Sequence, residues 1–152
     1  GHFDFDLSED EVEALRKYLR RGGVLIADAC CGRKEFDKAF RRLAGKLFSD
    51  EKLQKLPANH PIYTAALGER LGEVRFRKIL AEERKEEGMA SWRGTDRPPV
   101  EQVKIDGRTA ILYSPYDFSC ALEGDKPYAC RGYADEGGRK LALRMFLYAI
   151  AY

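Results

Sequence analysis

The period of the hydrophobic positions changes several times along the chain, and each change predicts an element. Val12, Leu15 and Leu19 recur at helical spacing. Ser8, with Glu11 three residues on, is the signature of a capping box, and Leu7 and Val12 are placed as a hydrophobic staple. A helix is therefore expected up to about Arg21, with Arg20 and Arg21 at the negative end of its dipole. Gly22 and Gly23 supply a left-handed stop. Residues 24–29, VLIADA, are almost continuously apolar. Their short length and flanking glycines predict a buried strand. A helix leading straight into a buried strand implies αβ order and a parallel sheet.

After Gly32 the period returns to helical. Phe36, Phe40, Leu43 and Leu47 form one stripe, and Lys34, Lys38, Arg41, Arg42 and Lys46 an outer, solvated basic face. Residues 52–56 read as a weak strand and residues 57–61, PANHP, as a turn with His60 between two prolines. Residues 65–88 admit two readings: a charged helix over 78–87 and a short strand at 74–76. Residues 88–99 read as a loop, with Trp92 capping the core. Residues 100–105 and 109–113 flank Asp106-Gly107, a strong hairpin signal, and the apolar second strand belongs in the sheet centre. It ends at the turn Ser114-Pro115-Tyr116-Asp117, after which residues 118–132 look irregular. Residues 141–150 are apolar on nearly every side, which predicts a helix packed deeply between neighbours.

Composition narrows the function classes. A chain of 152 residues suits a single domain spanning 1–152. With 27 basic against 25 acidic residues the net charge is +2, and no aromatic motif is interleaved with basic residues, so nucleic acid is not the expected partner. No apolar run reaches the roughly 20 residues that span a bilayer, and no signal peptide is visible.

The chemistry-bearing residues collect at the end of the buried strand, where open α/β sheets place their ligands. Asp28 sits near the end of an apolar strand and needs a partner there. It either bonds turn amides and holds the bend, or faces a pocket as a polar anchor or metal ligand. Cys30 and Cys31 read first as small residues packed at a tight corner. Cys120 and Cys130 lie in a loop-like stretch and suit a disulfide in an exported protein. There is no CxxC pair and there are only two histidines, His2 and His60, so the spacing does not read as a zinc site, and no metal or cofactor is expected. His60 reads as an exposed or capping loop residue, with ligand binding the alternative. Tyr116 packs over the hairpin or lines the same cleft as Asp28.

Several blocks together resemble the bacterial domain-of-unknown-function family 4159. They are the opening Gly1-His2 before LSEDEVEALRKYL, GGVLIADACCG, FDKAFRRL, LPANHPIY and GRTAILYSPYDFSCALE. That family is similar to the class I glutamine amidotransferase-like superfamily, which implies an α/β fold: a flavodoxin-like, three-layer α/β/α arrangement. No activity is established for the family. Its members carry a further N-terminal portion, so the resemblance implies a sheet lacking its N-terminal strands or completed by another chain. It also implies a bacterial source and an extracytoplasmic setting.

In the amidotransferases a strand delivers a cysteine nucleophile onto a tight turn, and Cys30 matches that placement. The resemblance gives the following helix N-terminus the task of lowering the thiol pKa, and Gly32 that of letting substrate approach the backbone. It places Ser114 to Asp117 where the activating histidine would stand, but no histidine is there. The catalytic arrangement left is Cys30 with His2 as base and Asp117 orienting it. The other reading is a non-catalytic domain with a vestigial cleft around Asp28, Cys30, Ser114 and Asp117, with Cys31, Gly32, Tyr116 and His60 as further binding candidates, engaging a protein partner or a second copy of itself.

Overall fold

Both ends of the first helix, α1 (Glu9–Arg20), are set by local chemistry. The Ser8 amide donates to the Glu11 carboxylate at 2.8 Å and the Glu11 amide donates back to the Ser8 hydroxyl at 3.3 Å. At the other end the Gly23 amide donates to the Tyr18 carbonyl at 3.0 Å and the Gly22 amide to the Leu19 carbonyl at 3.2 Å. That is a Schellman closure, and it requires the left-handed Gly22 (φ +107°). The chain turns there directly into β1 (Leu25–Asp28), and the expected burial is corrected: β1 is an edge strand whose Leu25, Ile26 and Ala27 are only half-buried. The computed structural model describes residues 1–86, 95–124 and 129–152; Trp92 and most of the loop expected at 88–99 lie outside them.

Beyond β1 come α2 (Lys34–Leu47), β2 (Gln54–Lys55), β3 (Val74–Arg75), α3 (Lys78–Glu86), β4 (Thr95–Asp96), β5 (Glu101–Ile105), β6 (Arg108–Ser114), α4 (Ser119–Glu123) and α5 (Asp135–Ala151). The main sheet has the order β1-β6-β5-β2; β3 and β4 form a separate antiparallel pair. Both readings of residues 65–88 are realised, a short strand and then a helix. The irregular stretch expected after residue 117 contains α4, a helix too short to show a period.

The expected parallel sheet is corrected to a mixed one. Only β1 and β6 run parallel, Leu25 opposite Ile111 through Asp28 opposite Ser114. Asp106 (φ +51°) and Gly107 (φ +80°) fold β5 back on β6, and so short a connection joins only antiparallel strands. A bulge leaves Ala110 without a partner, since Val103 pairs with Ile111 and Lys104 with Thr109.

β6 is buried along nearly its whole length and divides the core. Ala110, Ile111 and Tyr113 join α1 and α2 residues on one side, with Val12, Leu19, Phe40, Leu43 and Leu47. Leu112 faces the other cluster, with Ile62, Val74, Leu141, Ala142 and Met145. The basic face of α2 is exposed, as expected, and its charges are partly paired. Arg41 forms ion pairs with Glu101 and Asp37, Arg42 with Asp4 and Lys46 with Asp6.

α5 is the larger correction. Leu141, Ala142 and Met145 are fully buried, but Leu143, Phe146, Leu147 and Ile150 are exposed, Ile150 to 84%. The one charged side chain of this half, Arg144, is buried and donates to the carbonyls of Ile62 and Thr64 at 3.2 and 2.8 Å. Among the described residues, no helix is long and apolar enough to cross a membrane.

Candidate functional site

The parallel register of β1 and β6 brings both strands to an end at the same level. After β1 the chain makes one 3-10 turn, Cys30–Gly32, in which Cys31 (φ +53°) and Gly32 (φ +61°) are both left-handed. After β6 it passes through Pro115 to Phe118 into α4. A third segment, residues 130–133, closes the corner. The Arg131 amide donates to the Cys31 carbonyl, the Asp117 amide to the Arg131 carbonyl and the Tyr133 amide to the Asp117 carbonyl, at 3.2, 3.3 and 2.9 Å.

Two buried aspartates join these segments. Asp28 Oδ2 accepts the amides of Phe118 and Ser119, both at 3.0 Å, so it holds turn amides, as one of its two readings required. Its backbone carbonyl accepts from the Gly1 nitrogen at 2.7 Å. Asp117 is 1% exposed. Its Oδ2 accepts the Cys31 amide in a short bond and the Cys130 thiol at 3.5 Å. Its Oδ1 accepts the Cys120 amide at 2.8 Å and the Ser119 hydroxyl at 3.5 Å. Burial alone would raise the Asp117 pKa, but the donors from Cys120, Cys31 and Cys30 outweigh it and hold the carboxyl below its ordinary value.

The four thiols are free and gather around that carboxylate. Cys30 is half-buried; Cys31, Cys120 and Cys130 are buried. The lowered thiol pKa expected at the bend is reversed. Burial, and then the negative charge of Asp117, push Cys30 up to about 11 and raise Cys120 and Cys130 as well. Whatever the start of α2 contributes at Cys30 is outweighed by burial first and by the neighbouring carboxylate second.

The family model described as "Domain of unknown function (DUF4159)" matches residues 1–152. The chain belongs to this family. No curated protein matches the sequence. The DUF4159 description carries no activity, so the chemistry has to be read from the residues themselves.

Ser114, fully buried in this DUF4159 chain, donates to the Tyr116 carbonyl at 2.6 Å and shares a 3.0 Å hydrogen bond with the Tyr133 hydroxyl. Tyr116 stands edge-on to Phe76 and Tyr133. It lines a cleft of about 510 Å³ with Gly32, Lys34, Asp37, Leu80, Glu83 and Arg131. The charges of this cleft are partly paired, Arg131 with Glu83 and Asp37 with Arg41. The close backbone approach at Gly32 is made by the chain itself: a Cβ there would lie 2.7 Å from the Arg131 carbonyl oxygen.

Neither histidine side chain is hydrogen-bonded to Cys30, although the carbonyl of Gly1, next to His2, accepts the Cys30 amide at 2.8 Å. His2 borders a separate hollow with Phe3, Asp4, Arg33 and Glu35, and the groups that shift the Cys30 thiol are Asp117, Cys31 and Cys120. His60 is buried, not exposed. It lies 4.6 Å, ring to ring, from Tyr148, whose hydroxyl meets Thr109 near the start of β6, at the far end of that strand from Asp117. Its Nδ1 accepts the Ile62 amide at 3.3 Å, the capping part of the expectation, while Nε2 has no partner.

Cys120, Cys130, Arg131 and Gly132 are the corner residues that sequence reasoning missed. Gly132 carried the only local signal, because a Cβ on it would come within 2.6 Å of the Asp117 carbonyl oxygen.

Proposed function

We propose that this chain is a non-catalytic α/β domain of the amidotransferase-like, flavodoxin-like class, with a binding or assembly role in a larger bacterial, extracytoplasmic system. The observation that carries this reading is the environment of Cys30. The residue at the nucleophile position faces a carboxylate and other thiols, its pKa is pushed up to about 11, and no imidazole is bonded to it. A nucleophilic cysteine needs the opposite: a cation or a base that favours the thiolate. The elbow is retained as a joint between three chain segments, and the apolar outer side of α5 is the surface suited to a protein partner or a second copy.

The second reading, a hydrolase or amidotransferase-like enzyme, is favoured by one observation: Cys30 is the only one of the four thiols that is not buried. An iodoacetamide time course at neutral pH on the folded, reduced, metal-free protein separates the two. The non-catalytic reading expects slow alkylation of Cys30, at less than the rate of a free thiol, and no acceleration as the pH rises from 6 to 8 beyond that of a thiol titrating well above it. Rapid, selective labelling at pH 6 that is lost in His2→Ala overturns it in favour of the enzyme.

A further inference from the structure

The four cysteines of this chain come from three separate segments: the bend after β1, the first turn of α4 and the segment before α5. Their convergence is a product of the fold, which is why no pairwise spacing in the sequence announced it. The Sγ atoms of Cys30, Cys31 and Cys120 and a carboxylate oxygen of Asp117 all lie within 4.8 Å of one another. We propose that these four side chains bind one zinc ion, with Cys30, Cys31 and Cys120 as thiolate ligands and Asp117 as the oxygen ligand.

Four ligand atoms at the corners of a tetrahedron around zinc, with Zn–S of about 2.3 Å, stand about 3.8 Å apart. The observed separations, at most 4.8 Å, exceed that spacing by no more than about 1 Å. Soft sulfur ligands in a small, largely buried set select zinc over calcium or magnesium, which take six or more oxygens or keep several waters.

The second shell is already in place. Asp117 accepts the backbone amides of Cys31 and Cys120, so the oxygen ligand orients the turns that carry two of the sulfur ligands. Cys130 donates its S–H to Asp117 Oδ2 at 3.5 Å and is assigned to this outer shell. The consecutive left-handed residues Cys31 and Gly32 let two adjacent cysteines offer their sulfurs to the same centre. Cys30, the half-exposed member, gives the ion its way in. On binding, each of the three thiols loses its proton to solvent as its sulfur lone pair forms the bond to zinc. Loading therefore releases about three protons per ion, and it adds the binding free energy to folding.

The test uses the whole chain, fully reduced, with four titratable thiols confirmed before loading. Titration with zinc is expected to saturate at one equivalent and to raise the midpoint of thermal unfolding; a strong chelator reverses the rise. Calorimetry in buffers of different ionisation enthalpy is expected to count about three released protons. Cobalt in place of zinc is expected to give thiolate-to-metal charge transfer and the intense visible bands of a tetrahedral site. Cys120→Ser loses the stoichiometric site, whereas Cys130→Ser keeps it with affinity lowered about 10- to 100-fold. If the reduced wild-type chain shows neither a cobalt spectrum nor a zinc-dependent shift in unfolding, the proposal is overturned. If Cys120→Ser does not fold, the wild-type spectrum and proton count decide alone. A site that survives in Cys120→Ser and is lost in Cys130→Ser overturns the ligand assignment. The iodoacetamide test above stands apart, because it is run on metal-free protein.

Discussion

α2 and α5 are the two longest helices among the described residues, and they bury themselves in opposite ways. In α2 the apolar stripe turns inward, Phe40 stacking 4.4 Å from the Tyr113 ring, and the outer charges find partners in Asp4, Asp6 and Glu101. In the C-terminal half of α5 the arrangement is inverted. A buried arginine ties the helix to the carbonyls of residues 62 and 64, and four large apolar side chains face outward. The first turns of that same outer stripe are charged, with Glu136, Arg139 and Lys140, so the apolar patch begins abruptly at Leu143. The difference shows that a helix with two distinct sides declares its orientation, whereas one that is apolar all round declares only that something covers it.

Substitutions in α2 should give the largest effects. Phe40→Ala removes an aromatic ring buried between α2 and β6, and the expected loss is about 3–5 kcal/mol in urea unfolding. A loss under about 1 kcal/mol would mean that the α2 side is no better packed than the outer side of α5, and the contrast would fail.

The next largest effect is pH-dependent and tests how α5 is fixed. His60 lies against Tyr148 of α5, and burial, then the nearby positive charge of Lys104, lower its pKa from 6.5 to about 4. The folded chain thus takes up the proton less readily than the unfolded one. The stability this provides is complete above pH 6.5 and disappears as the pH falls from 6.5 through 4. It is on the order of 2–3 kcal/mol. Unfolding midpoints measured from pH 7 to pH 4 should fall, and they should fall less in His60→Gln. Parallel curves for the two proteins would remove His60 from the account of how α5 is held.

The same contrast explains what the sequence made legible. The capping box at Ser8, the stop at Gly22, the strand before Cys30, the α2 stripe and the Asp106-Gly107 turn are all short-range devices, and each forms within a few residues of its signal; the burial of that strand is not short-range, and β1 lies half-buried at the sheet edge. What was hidden is long-range. Asp117 reaches Cys31 across 86 positions, and Asp28 reaches Phe118 across 90. Cys120 and Cys130 looked like a loop pair because nothing nearby showed that a bend 90 residues earlier would meet them. The thiol pKa is hidden for a related reason: a local rule about helix starts gives way to burial by the folded corner and, after it, to the charge of a carboxylate distant in sequence. His60 was misjudged because its burial depends on α5, which had been placed too deeply.

The smallest expected effect on stability is also the most telling about assembly. Phe146→Ser combined with Ile150→Ser replaces two side chains exposed to 47% and 84%. If the outer side of α5 is a free surface of the folded monomer, unfolding should change by no more than about 0.5 kcal/mol per substitution. The same double variant should bind less of a dye that reports exposed apolar surface, and should sediment as a smaller species wherever the parent chain self-associates. A loss of several kcal/mol that grows with protein concentration has a different meaning: the face is then an obligate interface between copies, and stability and assembly are one equilibrium. A large loss independent of concentration would place those side chains inside the monomer's own core, and the contrast with α2 would disappear.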